Sequence, residues 1–229
     1  MNSLPETFGD LARFRQGMYK VFSAAFMPPI PERLGDLIAG ADTLEGMGLP
    51  FLAFYNEWHP WRQALNSVRD VIDVEVEYVR MFATGVAGAM SPPTESSYVA
   101  DPVRGEVGEV LARLRGAYND YRLEPTGAVA DTLDHIAIEL EVMSALCARE
   151  AEARGNENDH QTIVTLKHQR AFLEEHLMVW LPDFVERIAA AETVPFYSTL
   201  GPAVASFVQH DLGVVRFLAK PSPTQETVS

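Results

Sequence analysis

Leu11, Phe14, Met18, Phe22 and Phe26 recur every three or four residues, and the same spacing returns almost to the end of the chain. Only an α-helix places such positions on one face, so the sequence predicts an all-α protein. Prolines and glycines divide the periodic stretches. Pro28, Pro29 and Pro31 stop the first helix. A short helix follows to about Ala39 and another from Leu44 to Tyr55, the second weakened by Gly46 and Gly48. Pro60 opens a long helix whose stripe is Leu65, Val68, Ile72, Val76 and Val79, thickened by Val71, Val74, Tyr78 and Met81. Gly85 and Gly88 end it. The β-branched run 71–79 has strand propensity, but its length and its charges at Asp73, Glu75 and Glu77 favour helix.

Residues 83–102 hold three prolines and no helical period. A loop of this length inside a compact domain is usually functional or mobile. Leu111, Leu114 and Tyr118 mark the next helix. Leu133, Ile136, Ala137, Leu140, Met143 and Cys147 form the cleanest amphipathic pattern, with Asp131 as an early-turn acid. Cys147, the single cysteine, reads as a small buried hydrophobe. The polar stretch 154–159 reads as a connector. A helix from about His160 to Trp180 is restarted or kinked at Pro182, and Phe196–Leu218 form the last one. The division expected is an N-terminal lobe over 1–153, a C-terminal lobe over 160–218 joined by a hinge, and a disordered tail over 219–229, with one single domain as the alternative.

The 229 residues carry a formal charge of −14. Such a surface repels nucleic-acid phosphates and attracts cationic partners, although solubility alone also accounts for it. No apolar run approaches the roughly 18 residues of a membrane span. Residues 1–30 mix Glu6, Asp10, Arg13 and Lys20 into the apolar positions, unlike a signal peptide, so the cytoplasm is expected.

Candidate sites follow from polar residues set into these patterns. Asp134 and His135 stand beside the apolar stripe, with Glu139 four residues after His135 and so on one helical face with it. They serve either as a polar anchor for a ligand or peptide, or as a local helix-surface network. His168, Phe172, His176 and Trp180 repeat every four residues and make either an aromatic groove or ordinary helix packing. Trp58-His59-Pro60-Trp61 caps a pocket or locks a corner of the fold. In the long loop, Pro93, Glu95, Ser96 and Tyr98 either contact a ligand or pin the loop. Metal and catalytic readings lack support. A di-iron bundle needs Glu-x-x-His on two helices, and the one match, Glu157 to His160, lies in the connector. Zinc spacing, nucleophile elbow and phosphate loop are missing. No cofactor and no metal are expected.

Four motifs occur in one order: Tyr78-Val-Arg80-Met81-Phe82; Pro93-Thr-Glu95-Ser96-Ser-Tyr98; Asp134-His135-Ile-Ala-Ile-Glu139-Leu140; and His176-Leu177-Met-Val-Trp180. As a set they resemble the TorD/DmsD/NarJ family of maturation chaperones for molybdenum enzymes. The resemblance spans about residues 8–218. It implies two helical lobes joined by a hinge and a cytoplasmic chaperone rather than an enzyme. Its partner would be the apo form of a molybdopterin oxidoreductase catalytic subunit and that subunit's N-terminal signal, often of twin-arginine type. It would assist cofactor insertion and assembly before export. Asp134 and His135 match positions tied to signal binding. Glu139, Glu95, Ser96, Tyr98, Pro93, Phe82, Arg80, His176 and Trp180 match the family's other shared positions. Alternatives are a helical nucleotide-binding protein or enzyme, for which the chain offers no phosphate cradle, and a permanent subunit of a redox complex. A monomer or a domain-swapped dimer is expected, exchange being allowed by a hinge near 154–159.

Overall fold

The computed structural model describes residues 7–48, 53–83, 88–99, 106–124 and 132–220. Its helices are α1 (Phe8–Ala25), α2 (Pro31–Gly46), α3 (Tyr55–Ser67), α4 (Val71–Phe82) and α5 (Ser96–Val99). They continue as α6 (Val107–Tyr121), α7 (Ile136–Gly155), α8 (Asp159–Phe172), α9 (Met178–Ala190) and α10 (Pro195–Leu218). Among the described residues there is no strand, only one isolated bridge between Thr94 and His135. The expectation of an all-α fold holds. Residues 221–229 of the expected tail, Gly85 and Asp131 lie outside the described residues.

Local chemistry sets most helix ends. Thr7 caps α1 by accepting from the Asp10 N–H, Asp70 caps α4 through Ile72 and Asn158 caps α8 through Gln161. Pro31 and Pro195 occupy the first turns of α2 and α10, where a missing N–H costs nothing.

Several expected boundaries move. Helix α2 is one continuous helix rather than two pieces. Its Gly40 faces α1 so closely that an added Cβ would stand 2.9 Å from Val21, and Gly17 of α1 receives Leu44 in the same way. Close packing decides here over weak helix propensity. Pro60 lies inside α3 rather than opening a helix. It is exposed, as is Asn56, whose carbonyl loses its usual helical donor because proline has no N–H. The long helix expected across 60–82 is two helices, broken at Val68–Asp70 so that Asp70 can cap the second. The expected stripe is also wrong in α4: Ile72, Val76 and Val79 are exposed, while Val74, Glu77, Tyr78, Met81 and Phe82 face inward. Pro182 does not break its helix; a single π-helical turn, Leu173–Leu177, joins α8 to α9 without interruption. The expected connector shrinks, because α7 runs through Arg154 and Gly155.

Helix α7 begins after His135, not at Leu133, and is buried on nearly all sides rather than amphipathic. Helix α1 packs along it, α8 returns against it, and α10 packs on α3 and α9. Ser23 of α1 donates to the Ala137 carbonyl at 2.8 Å, and Ser144 of α7 donates to the Gln16 carbonyl at 3.1 Å. The core runs continuously through these helices: Phe22 meets Trp58, Trp61 and Phe207 at ring separations of 5.7, 5.8 and 5.7 Å. Trp58 and Trp61 are therefore packing residues, while His59 stays exposed against Tyr55 and Gln63.

Candidate functional site

The loop before α5 is sewn to the start of α7 by main-chain bonds. The Ile136 N–H donates to the Pro93 carbonyl at 2.8 Å, and the Glu95 N–H donates to the Asp134 carbonyl at 2.9 Å. The Asp134 side chain accepts from the Ser96 N–H at 3.1 Å. Asp134 thus caps the one-turn helix α5, where a carboxylate meets free N–H groups. His135 is the cap of α7: its Nδ1 accepts from the Ala137 N–H at 3.1 Å, which leaves the proton on Nε2.

Two side-chain bonds tie this seam to the π-helical turn and α9. His176 Nδ1 donates to Glu95 Oε2 at 3.0 Å, and the Trp180 indole N–H donates to Glu139 Oε2 at 3.1 Å. The π-helical turn explains the aim of His176 and Trp180, since its extra residue rotates the faces before and after it. The Tyr98 ring lies 5.5 Å from Trp180 and 6.0 Å from Phe184, and Phe82 meets Phe184 from the other side at 6.0 Å. Tyr118 closes the cluster by donating to the Leu133 carbonyl at 2.7 Å.

Asp134, His135, Glu139, Glu95, Ser96, Tyr98, Pro93, His176, Trp180 and Phe82 therefore meet in one place. Asp134, His135, Glu95, Glu139, His176 and Trp180 are all buried. Two expectations change. His135 and Glu139 do not share an exposed helix face, because His135 precedes the helix and Glu139 is sealed within it. Of the four-residue repeat, Phe172, His176 and Trp180 pack inward and only His168 is partly open, stacked 4.6 Å from Tyr121. Arg80 lies at the edge of the cluster: it pairs with Glu77, donates to Met90 Sδ in the loop at 2.8 Å and reaches the Ala191 carbonyl, linking α4 to the loop and to the turn before α10.

Burial governs the charges. Desolvation, followed by the neighbouring Glu95, pushes Glu139 well above the ordinary carboxyl range and favours its neutral acid. Burial lowers His135 to about 4, against a smaller upward pull from Asp134. A histidine buried neutral makes stability depend on pH. The unfolded chain takes up the proton near 6.5 and the folded one near 4, so His135 lowers stability as pH falls through that window, by about 3 kcal/mol in all. Glu139 acts oppositely, its contribution fading as pH rises above the usual carboxyl value. Urea melts of wild type and His135→Asn from pH 7 to 4 separate the two, since asparagine also caps helices. The acid-side loss is expected in wild type and not in the variant; equal slopes would refute a neutral buried His135.

A second buried polar centre was missed. Arg15 of α1 donates to Asp211 of α10, to Glu150 of α7 at 2.7 Å and to Gln169 of α8 at 2.6 Å. Tyr19 adds an O–H bond to Asp211 at 2.7 Å. The available signal was charge inside apolar stripes: Arg15 beside Phe14 and Met18, and Asp211 among Phe207, Val208, Leu212 and Val215. Cys147 is buried nearby, and burial pushes its thiol up. Among the described residues no group of His, Cys, Asp and Glu is placed to hold a metal ion, and no helix is long and apolar enough to cross a membrane.

Fold and site together define an all-helical protein whose motif residues lock a loop against a central helix. Residues 52–186, more than half of the chain, match the model of the nitrate reductase delta subunit family, and the chain belongs to that family. It is 33% identical to a chlorate reductase assembly chaperone protein of Ideonella dechloratans, over 59% of this chain and 67% of that one. It is 28% identical to a selenate reductase assembly chaperone protein of Thauera selenatis over the same shares. It is 32% identical to the chaperone protein TorD of Vibrio cholerae, over 65% of this chain and 67% of that one. A crystal structure from Archaeoglobus fulgidus, of a candidate redox enzyme maturation protein, superposes with a TM-score of 0.52 at 20% identity. That match covers 90% of this chain and 94% of the other and shows a shared fold.

Proposed function

We propose that this chain is a cytoplasmic assembly chaperone for the catalytic subunit of a molybdopterin oxidoreductase. It binds the apo subunit and its N-terminal signal, keeps the subunit open for cofactor insertion and releases it when assembly is complete. No bond in the client is made or broken, so the chain needs no catalytic group. The observation that carries this reading is the similarity to relatives named as assembly chaperones of chlorate and selenate reductases. The convergence of the four motifs on one seam supports the same region as the place of client contact. There, Asp134, His135, Glu139, Glu95 and Ser96 hold the loop 88–99 in position, with Pro93, Tyr98, Phe82, Arg80, His176 and Trp180 shaping its surroundings. A signal with a cationic end and an apolar stretch suits a surface of charge −14. The protein acts as a monomer or as a dimer that exchanges the segment after α7.

The test is co-expression with the molybdopterin-enzyme subunit encoded beside it, followed by capture of the apo and the cofactor-loaded forms. Binding to the apo form and release on loading are expected. A complex that persists unchanged with the loaded enzyme would replace the chaperone by a permanent subunit. Calorimetry with the client's signal peptide addresses the site. Asp134→Ala and His135→Ala remove the caps that hold the loop against α7 and are expected to weaken binding by about two- to thirtyfold, the size of a lost helix cap. Urea melts run alongside. Full affinity in variants that have lost stability would remove these residues from the binding region.

A further inference from the structure

Glu95 of the loop and Glu139 of α7 are both sealed inside the seam, at 1% and 0% exposure. Each carboxyl has a donor on one oxygen only: His176 Nδ1 on Glu95 Oε2, and the Trp180 indole N–H on Glu139 Oε2. Glu139 Oε1 is buried with no donor among the described residues. Yet the two side chains lie within hydrogen-bonding reach of each other. Two carboxylates cannot bond, since each only accepts. A proton between them supplies the missing donor and removes one of two buried negative charges. The other groups that face the pair are Asp134 and His135 before α7, Tyr118 on α6 and His176 on the π-helical turn. Burial keeps His135 neutral, and among the described residues no Arg or Lys pairs with either glutamate. Three buried carboxyls, Asp134 included, thus share at most one cation, His176, which cannot offset them all.

We propose that Glu95 and Glu139 share a single proton, and that this proton latches the loop 88–99 onto α7. The bond spans the joint directly, one carboxyl on each side of it. Main-chain bonds at Pro93 and Glu95 position the loop whatever the pH, and the shared proton is the contact that titrates. With the loop lifted, both carboxyls meet water and return to the ordinary glutamate value of about 4.3. The closed loop therefore holds one proton more than the open one. Closure is complete below that ordinary value. As pH rises from there towards the raised value of the closed pair, opening gains by up to about tenfold per pH unit. In the chaperone reading, the latch governs when the region of client contact is free. The latch itself needs no client, so its failure leaves that reading untouched, and loss of that reading leaves the latch.

Carbon-13 nuclear magnetic resonance of the glutamate carboxyls in the full chain reads the proton, and amide hydrogen exchange reads the loop. At about pH 6, well above the ordinary value, one carboxyl of the pair is expected to resonate as a neutral acid. That signal is expected to be missing from Glu139→Gln. Between about pH 5 and 9, protection of the amides of residues 94–99 is expected to fall by up to about tenfold per pH unit, while the amides of α1 and α7 stay better protected. In Glu139→Gln the amide N–H donates to Glu95 in place of the proton, so the loop is expected to stay closed and the extra slope to vanish. His135 and His176 are present in both proteins, so the difference between them belongs to the pair. Two ionised carboxyls at pH 6, equal slopes in wild type and variant, or loop amides that exchange only when the whole chain unfolds would overturn the latch. The first of these is read on wild type alone and decides the matter even where the variant does not fold.

Discussion

Arg15→Met is expected to cost about 3–5 kcal/mol of folding stability, enough to unfold a marginal protein near body temperature. Arg15 is 2% exposed, and its guanidinium satisfies Glu150 and Asp211, which are just as deeply buried. Methionine fills much of the same volume, so packing alone would change little. The loss comes from two carboxyls left in the interior without their cation, only one of which, Glu150, keeps another, Arg154 at 2.8 Å. Adding Asp211→Asn to Arg15→Met is expected to restore part of the stability by removing one stranded charge. Urea melts at neutral pH measure both. A single variant that loses less than about 1 kcal/mol, the range of surface pairs, would mean that water reaches this centre.

Trp180→Ala is expected to be comparably severe, at about 3–5 kcal/mol, because it empties a fully buried indole site. It also strands Glu139 Oε2 and removes the ring against which Tyr98 packs. Trp180→Phe keeps most of the ring and deletes only the N–H, leaving a buried acceptor unpaired at about 1–3 kcal/mol. Combining it with Glu139→Leu, which removes the stranded acceptor, is expected to recover part of that loss. Hydrogen exchange at residues 93–99 provides the second readout. The loop is held through Glu95, Asp134 and Tyr98, so its amides should exchange faster in Trp180→Ala before the whole chain unfolds. Loop protection that changes only with global unfolding would show that Trp180 supports the core and not the seam.

These two centres were unequally legible in the chain. The seam could be singled out only because its short motifs, each ambiguous alone, resemble in their order those of a known chaperone family: Asp134 with His135, Glu95 near Tyr98, His176 four residues before Trp180. The resemblance suggested which residues matter but not that they meet, nor that Asp134 and His135 act as helix caps. The Arg15 centre had only the weak sign of charge within apolar stripes, and its principal bond joins residues 196 positions apart. Nothing local in either stretch names the other.

By itself the sequence determined the helical class, the caps at Thr7, Asp70 and Asn158, and the proline starts of α2 and α10, all settled within a turn or two by steric and hydrogen-bond rules. Tertiary structure decided what such rules leave open. In α4 two apolar stripes competed, and packing of Tyr78 and Phe82 on Tyr197 and Phe184 buried one and left Ile72, Val76 and Val79 in water. In α2, contact with α1 carried the helix through Gly40. In α7, neighbours on every side turned an apparent amphipathic helix into a buried one, and with it drew Glu139 into the interior. A 3.6-residue period states that a helix has a face; only the partners that cover it determine which face is buried and which polar groups must then find each other there.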